Sequence, residues 1–265
     1  MAAAGFLLAS KWDTSFGLFA ATIFGISLVI ASACTANNYL DRDIDRKMAR
    51  TKKRALASGA ISGQVALAYA GVLGVAGFTI LLTWTNFLAA AIAWIGYVVY
   101  VLAYGFAKRN TVYSTIIGSV PGAVPPVVGY TAFTDRFDTG AAILFLILVL
   151  WQMPHFYAIA IYRYDDYKAA GLPVLPVAKG FRTAKLNILF YVVGFCLAIS
   201  ALTAFAYSGY VYLALALGLG LSWLWRAWMG FKTRDDKRWA RGFFVHSLIV
   251  ISILSILIAL GSVLP

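Results

Sequence analysis

Residues 14–46 read TSFGLFAATIFGISLVIASACTANNYLDRDIDR, an apolar run that ends in a cluster of aspartates. The run is longer than the roughly 20 residues that an α-helix needs to cross the hydrocarbon core of a membrane. The whole chain of 265 residues is 62% apolar and only 12% charged, with a mean hydropathy of +0.82. Soluble domains are about one quarter charged, so this composition excludes a soluble enzyme, a disordered chain and a secreted disulfide scaffold. It predicts an all-α integral membrane protein whose single domain covers residues 1–265.

Eight apolar runs are long enough to span a bilayer, and one further run, Met1–Ser10, is too short. The short run lacks the basic start of a signal peptide. The eight full spans lie at about Thr14–Tyr39, Gln64–Trp84, Phe87–Ala107, Tyr113–Phe133, Thr139–Tyr162, Thr183–Tyr207, Tyr210–Trp228 and Phe243–Val263. Gly118 and Gly122 in the fourth span predict either close contact with a neighbouring helix, which we favour, or the wall of a cavity. We therefore expect a polytopic helical bundle.

The basic residues of the loops indicate the orientation of this bundle. Twenty of the 22 Lys and Arg residues fall in four alternate loops, at 40–63, 108–112, 163–185 and 226–242. The opposite loops contain only Lys11 and Arg136. Because basic loops stay on the cytoplasmic side, these four loops are predicted to be cytoplasmic and Pro265 to lie outside. The same rule explains the net charge of +12 without nucleic acid as a partner.

The aspartates that follow the first full span form the densest polar cluster in the chain. Asn37, Asp41 and Asp45 are four residues apart, so on a helix they stack on one face. Carboxylates this close repel each other unless a cation lies between them, and oxygen ligands are those that Mg²⁺ takes. The basic residues that could bind a diphosphate follow directly: Lys47, Arg50, Lys52, Lys53 and Arg54. The alternative is a solvated helix end with alternating charges, but the chain has no Glu and few acids elsewhere, which favours a metal–diphosphate site.

A second polar group follows the span 139–162. Four residues fall near one face of a helix continued past this span: Gln152, His155, Arg163 and Asp166. Polar side chains at membrane depth usually face a cavity or the bundle interior. The group occupies the same place in the second half of the chain as the first acidic cluster does in the first half. The two are therefore predicted to hold one metal–diphosphate from both sides, with His155 either a ligand or a structural residue.

These motifs resemble the UbiA superfamily of intramembrane prenyltransferases and, within it, the haem O synthase (protohaem IX farnesyltransferase) family. The superfamily pattern Asn-x3-Asp-x3-Asp is matched by Asn37, Asp41 and Asp45. The patterns of the narrower family are matched by Arg50, Thr51 and Arg54; by Trp151, Gln152, Pro154, His155 and Phe156; and by Arg163, Asp166, Tyr167, Pro173, Leu175 and Pro176. The His-Phe and Asp-Tyr motifs make the resemblance specific, and it extends from about Gly5 to the C-terminus.

The resemblance implies a Mg²⁺-dependent enzyme with protohaem IX as its substrate rather than its cofactor. Such an enzyme transfers the farnesyl group of farnesyl diphosphate to a haem vinyl group, adds water, and yields haem O and diphosphate. The implied metal ligands are Asn37, Asp41, Asp45 and Asp166. The implied diphosphate contacts are Arg50, Lys53, Arg54 and Arg163, with Tyr167 completing the catalytic set. The implied haem contacts are Trp151, Gln152 and His155, the last either as iron ligand or as propionate contact.

The resemblance also implies a UbiA-like bundle of nine helices, of which this chain carries eight full ones and a shortened first. It implies a bacterial inner membrane surrounded by lipid, and leaves open a haem A synthase or a terminal oxidase assembly as a downstream partner. Two other functions are alternatives. A UbiA-type enzyme acting on a quinone ring or lipid alcohol should lack the His-Phe and Asp-Tyr motifs. A transporter should place its charged residues near mid-bilayer rather than at helix ends.

Overall fold

Lipid cannot satisfy backbone hydrogen-bonding groups, so the apolar runs of this chain must form helices. A computed structural model describes residues 1–265 and contains α-helices, one π-helical segment and no strand. The helices are α1 (Ala2–Ser10), α2 (Phe16–Leu40), α3 (Arg42–Lys47), α4 (Ala55–Ser58), α5 (Gly63–Trp84), α6 (Phe87–Val98), α7 (Gly105–Asn110), α8 (Ser114–Thr134), α9 (Thr139–Tyr162), α10 (Tyr164–Ala169), α11 (Leu175–Ala204), α12 (Tyr210–Met229) and α13 (Asp236–Leu260). The π-helical segment Val99–Tyr104 joins α6 to α7.

Eight helical stretches are long and apolar enough to cross a membrane, which confirms the predicted number. Two of their boundaries differ from the prediction. The sixth span begins at Leu175 rather than Thr183, with a break at Gly180, where φ is +80°. The eighth begins at Asp236 rather than Phe243, and the Asp235 side chain caps its first turn. Both helices extend past their apolar part, and hydropathy detects only that part.

Two packed groups of helices share α8. In the first half, α2 packs along α5, and α6 packs on α8; in the second half, α9 lies between α8, α11 and α13. The nine-residue helix α1, roughly 14 Å long and too short to cross a bilayer, joins the groups by packing against α8 and α13. Its Phe6 is fully buried, and its Gly5 lies so close to the Pro126 carbonyl that no side chain would fit.

The short helices α3, α4, α7 and α10 follow the basic ends of the spans, and ion pairs join these ends. Arg109 of α7 pairs with Asp43 of α3 at 2.9 Å, and Lys237 of α13 pairs with Asp165 of α10 at 2.6 Å. The loops that the charge pattern assigned to one side of the membrane are therefore together at one end of the bundle. The acidic motif lies at that end.

Candidate active site

The first acidic motif keeps its helical spacing across a junction between two helices. Although α2 ends at Leu40, the Asp41 amide donates to the Asn37 carbonyl at 2.9 Å, and the Asp45 amide donates to the Asp41 carbonyl at 2.8 Å. These bonds carry the i, i+4 repeat through the junction, so all three side chains face the same way. Each of the three is buried. The predicted shared face is confirmed.

This face lines a cavity of about 250 Å³. Basic and aromatic side chains from other segments form the remaining polar wall: Arg50, Arg54, Lys108, Tyr100, Tyr104 and Tyr167. Arg54 donates from Nη1 to Asp45 Oδ2 at 2.9 Å and to Asn38 Oδ1 at 3.1 Å, which ties the loop after α3 to the motif. The cavity therefore places two carboxylates and three cations around one small volume.

Two oxygen atoms of the motif have no hydrogen-bond partner. Asp41 accepts at Oδ2 from Asn37 Nδ2 (2.8 Å) and from Lys108 Nζ, but its Oδ1 and the Oδ1 of Asn37 are buried and unpaired. A buried polar atom without a partner is uncommon and calls for an explanation. Hard oxygen donors of this kind fit Mg²⁺, which readily completes its shell with water and substrate phosphates. The motif is therefore suited to a divalent cation.

The second predicted cluster contributes less to this cavity than expected. No three His, Cys, Asp or Glu side chains come together as a metal-binding group, and Asp166 pairs instead with Arg163 at 3.8 Å, outside the cavity wall. Helix α9 ends at Tyr162, and Arg163 has the non-helical φ and ψ of −104° and 28°. The i, i+4 backbone bonds nevertheless continue through Arg163 into α10, of which it is Tyr167 that lines the cavity. Burial raises the pKa of Tyr167, which keeps its hydroxyl protonated and able to donate.

The polar residues of α9 face the bundle interior, as predicted, but they bond two different neighbouring helices. Gln152 Nε2 donates to the Ser119 carbonyl of α8 at 3.1 Å, whereas His155 Nδ1 is 2.7 Å from Ser247 Oγ of α13. Trp151 also bonds α13, donating from Nε1 to the Ser247 carbonyl at 3.0 Å, and its ring stacks on His155 with centroids 4.6 Å apart. The two side chains are therefore satisfied by α8 and by α13, respectively, rather than by one common partner. Assignment of these residues to haem remains a prediction.

A second, apolar cavity of about 240 Å³ adjoins the first. Tyr100, Gly118 and Phe156 line both cavities. Deeper in the bundle the second cavity is lined by small and apolar residues: Ile26, Val29, Ala33, Ala93, Gly96, Pro121, Gly122 and Val124. A side chain at Gly122 would clash with Gln152 Oε1, and one at Gly118 would meet the Tyr104 ring at 2.8 Å, so the predicted close contacts and the alternative of a cavity wall are both confirmed.

The sequence reasoning missed the third basic element of the polar cavity. Lys108, which was counted only for orientation, bonds directly to Asp41. Tyr100, Tyr104 and Lys108 have the same i, i+4, i+8 spacing as the acidic motif, and this repeat was the signal that could have identified them. The two tyrosine rings stack with centroids 5.6 Å apart, and Lys108 Nζ lies 5.6 Å from the Tyr104 ring.

The sequence of this chain is similar to those of known proteins. A sequence profile described as "UbiA prenyltransferase family" matches residues 1–249. Among curated proteins, the protoheme IX farnesyltransferases of Sodalis glossinidius (strain morsitans) and Klebsiella pneumoniae subsp. pneumoniae are 52% and 51% identical, each over 98% of this chain and 89% of the relative.

Two solved structures share the fold at low sequence identity. A digeranylgeranylglyceryl phosphate synthase superimposes with a TM-score of 0.81 and 21% identity, over 99% of this chain and 91% of that one. A UbiA homolog from Archaeoglobus fulgidus, solved with GPP and Mg²⁺, superimposes with a TM-score of 0.68 and 18% identity, over 97% of this chain and 96% of that one.

Proposed function

Because the chain belongs to the UbiA prenyltransferase family, we propose that it transfers the farnesyl group of farnesyl diphosphate to a vinyl group of protohaem IX. Water is added in the same conversion, and the products are haem O and diphosphate. Relatives about half identical over nearly the whole chain carry the name protoheme IX farnesyltransferase, which supports this acceptor and donor. The observation that carries the proposal is the polar cavity that adjoins an apolar one, since a prenyl diphosphate has the same two parts.

The polar cavity would bind the diphosphate. Asn37, Asp41 and Asp45 would hold Mg²⁺, which neutralises negative charge on the diphosphate when bound. The A. fulgidus homologue, bound to GPP and Mg²⁺, supports a metal together with a prenyl diphosphate in this fold. Arg50, Arg54 and Lys108 line the same volume and would stabilise the charge that the leaving group acquires.

The residues that do not line the cavity keep their predicted roles as proposals. Asp166, Arg163 and Lys53 remain the proposed outer contacts of the metal–diphosphate, since Arg163 and Asp166 flank the turn that brings Tyr167 into the cavity. We propose that Trp151, Gln152 and His155 contact the haem. His155 bonds Ser247 through Nδ1, which leaves Nε2 for the iron or for a propionate.

The apolar cavity would hold the farnesyl chain. When the C1–O bond breaks, both of its electrons leave with the diphosphate, and the allylic cation that remains lies beside the Tyr100 and Tyr104 rings, whose faces stabilise cations. The π electrons of the vinyl group then form the new bond to C1, and water adds to the resulting cation with loss of a proton. The apolar wall keeps water away from the first cation, so that the vinyl group reacts before hydrolysis does.

We further propose that the four basic loops face the cytoplasm and that Pro265 lies on the opposite side of a bacterial inner membrane. The grouping of the short helices and their ion pairs at one end of the bundle supports a common side for these loops. Residues 1–265 would act as one domain, because α1 and α8 pack against both halves. A haem A synthase or a terminal oxidase assembly is the proposed consumer of the product.

The test is a transfer assay with purified protein, protohaem IX and farnesyl diphosphate, with and without Mg²⁺, read by the mass of the farnesylated haem. Asp41→Asn removes one buried charge at nearly constant volume. The matched control is Asp43→Asn, because Asp43 lies in the same motif but is exposed and pairs with Arg109 outside the cavity.

We expect product only with Mg²⁺, a loss of about 100-fold or more in kcat/KM for Asp41→Asn, and a change of less than about threefold for Asp43→Asn. Equal activity of the two variants, or full activity in the presence of a chelator, would contradict the assigned site. Farnesylation of a quinone ring but not of protohaem would mean that the proposed acceptor is wrong and that the proposed donor, farnesyl diphosphate, is correct.

A further inference from the structure

A strongly basic groove runs between α12 and the start of α13, away from both cavities of the candidate active site. It consists of two adjoining cavities of about 670 and 460 Å³ that share Arg226, Arg238 and Gly242. Arg234 lines the first cavity, and Arg241 lines the second. We call the two together the arginine groove.

The four guanidinium groups of the arginine groove have no counter-ion in the protein. None lies within 4.0 Å of a carboxylate, and the nearby aspartates are already engaged. Asp236 pairs with Lys185, and Asp165 pairs with Lys237. Asp235, the one acid that lines the groove, accepts from the Arg238 amide at 3.0 Å as a helix cap. Because no carboxylate neutralises these four cations, an anion bound among them would be favoured.

The arginine groove is polar at one end and apolar at the other. At the polar end, Trp239 donates from Nε1 to the Arg226 carbonyl at 2.9 Å, which joins α13 to α12. Gly242 lies between the two cavities and contributes no side chain to the groove, and Arg226 Nη1 is the one atom within 4 Å of the position a Cβ would take. One helical turn further along α13, Val245 and Ile249 are about half exposed and continue the groove toward the membrane interior.

We propose that the arginine groove binds an anionic phospholipid, with the phosphate among Arg226, Arg238 and Arg241 and an acyl chain against Val245 and Ile249. Free phosphate would satisfy the arginines but not the apolar extension. The Lys237–Asp165 pair places the groove at the same end of the bundle as the diphosphate cavity. The basic loops also lie at this end, which we propose faces the cytoplasm. Anionic lipids of the cytoplasmic leaflet bind basic pockets between helices of this kind. The inference does not rest on the proposed enzymatic function.

Native mass spectrometry of the full chain in detergent tests the proposal, with phosphatidylglycerol, phosphatidylcholine and inorganic phosphate as separate probes. The variants are Arg226→Gln and Arg238→Gln, singly and combined. Lys232→Gln is the matched control, because it removes one exposed charge from the same loop but does not line the groove. Size-exclusion elution and thermal melting identify any variant that fails to fold. If one single arginine variant fails to fold, the lipid affinity of the other single variant tests the proposal.

We expect phosphatidylglycerol to bind at least about tenfold more tightly than phosphatidylcholine, and each arginine variant to weaken it about tenfold, the loss typical of one charge-assisted contact. Lys232→Gln should change the affinity by less than about twofold. Equal binding of the two lipids, or an equal loss in Lys232→Gln, would overturn the proposal. Displacement of the lipid by inorganic phosphate or by protohaem at equal concentration would overturn it as well.

Discussion

Replacing Lys108 by Met tests whether the Asp41–Lys108 pair stabilises the fold as well as the site. Asp41 is fully buried, and its Oδ2 receives two donors, Lys108 Nζ and Asn37 Nδ2 at 2.8 Å. Methionine keeps the length and the apolar stem of lysine but removes the charge. Lys108→Met therefore leaves a buried carboxylate with one neutral donor and an Oδ1 that has none.

Removing one partner of a buried ion pair costs about 3–5 kcal/mol because the other charge is left uncompensated. The Lys108 side chain is 18% exposed, and the Asn37 hydrogen bond survives, so we expect a loss of about 2–4 kcal/mol in the free energy of unfolding. The neighbouring pair between Arg109 and Asp43 is the control, since its side chains are 38% and 59% exposed. A surface pair of this kind contributes about 0–1 kcal/mol, so Arg109→Met should cost no more than that.

The assay is unfolding in detergent micelles of the wild type, Lys108→Met, Asp41→Asn and the double variant. Because the double variant removes both charges, it should be about as stable as Asp41→Asn alone, so the coupling energy equals the Lys108→Met loss of about 2–4 kcal/mol. Strict additivity of the two single losses would refute the reasoning. An equal loss of stability in Lys108→Met and Arg109→Met would refute it too, because the buried and the exposed ion pair would then contribute equally.

Three further outcomes follow from the cavities. Gly122→Ala should cost about 1–3 kcal/mol in thermal unfolding, because its Cβ would displace Gln152, whereas Gly218→Ala in α12, with open space around it, should be neutral or slightly stabilising. Ala33→Phe should narrow the apolar cavity and raise KM for farnesyl diphosphate more than for the shorter dimethylallyl diphosphate. An equal rise in KM for both substrates would mean that the farnesyl chain binds outside this cavity. Chelation should abolish transfer, and Mg²⁺ should restore it fully; restoration by K⁺ alone would exclude a divalent site.

The linear sequence was sufficient wherever the information is local. The eight spans follow from runs of apolar residues, because the requirement to satisfy the backbone in lipid leaves no other structure. The shared face of Asn37, Asp41 and Asp45 follows from helical spacing alone, and the hydrogen bonds through Asp41 preserve that spacing. The resemblance in these motifs and in the His-Phe and Asp-Tyr motifs predicted the family that the comparisons then showed.

Features that depend on more than one segment required the tertiary structure. Lys108 comes to Asp41 from a helix end 67 residues away, and its helical spacing with Tyr100 and Tyr104 does not state which segment that face contacts. His155 and Gln152 have nearly the same direction on α9, yet each bonds a different neighbouring helix. Asp166 pairs with Arg163 whereas the next residue, Tyr167, lines the cavity, and the sequence does not state which of these neighbours reaches the site. Periodicity determines which side of a helix a residue occupies, whereas only packing decides what that side contacts.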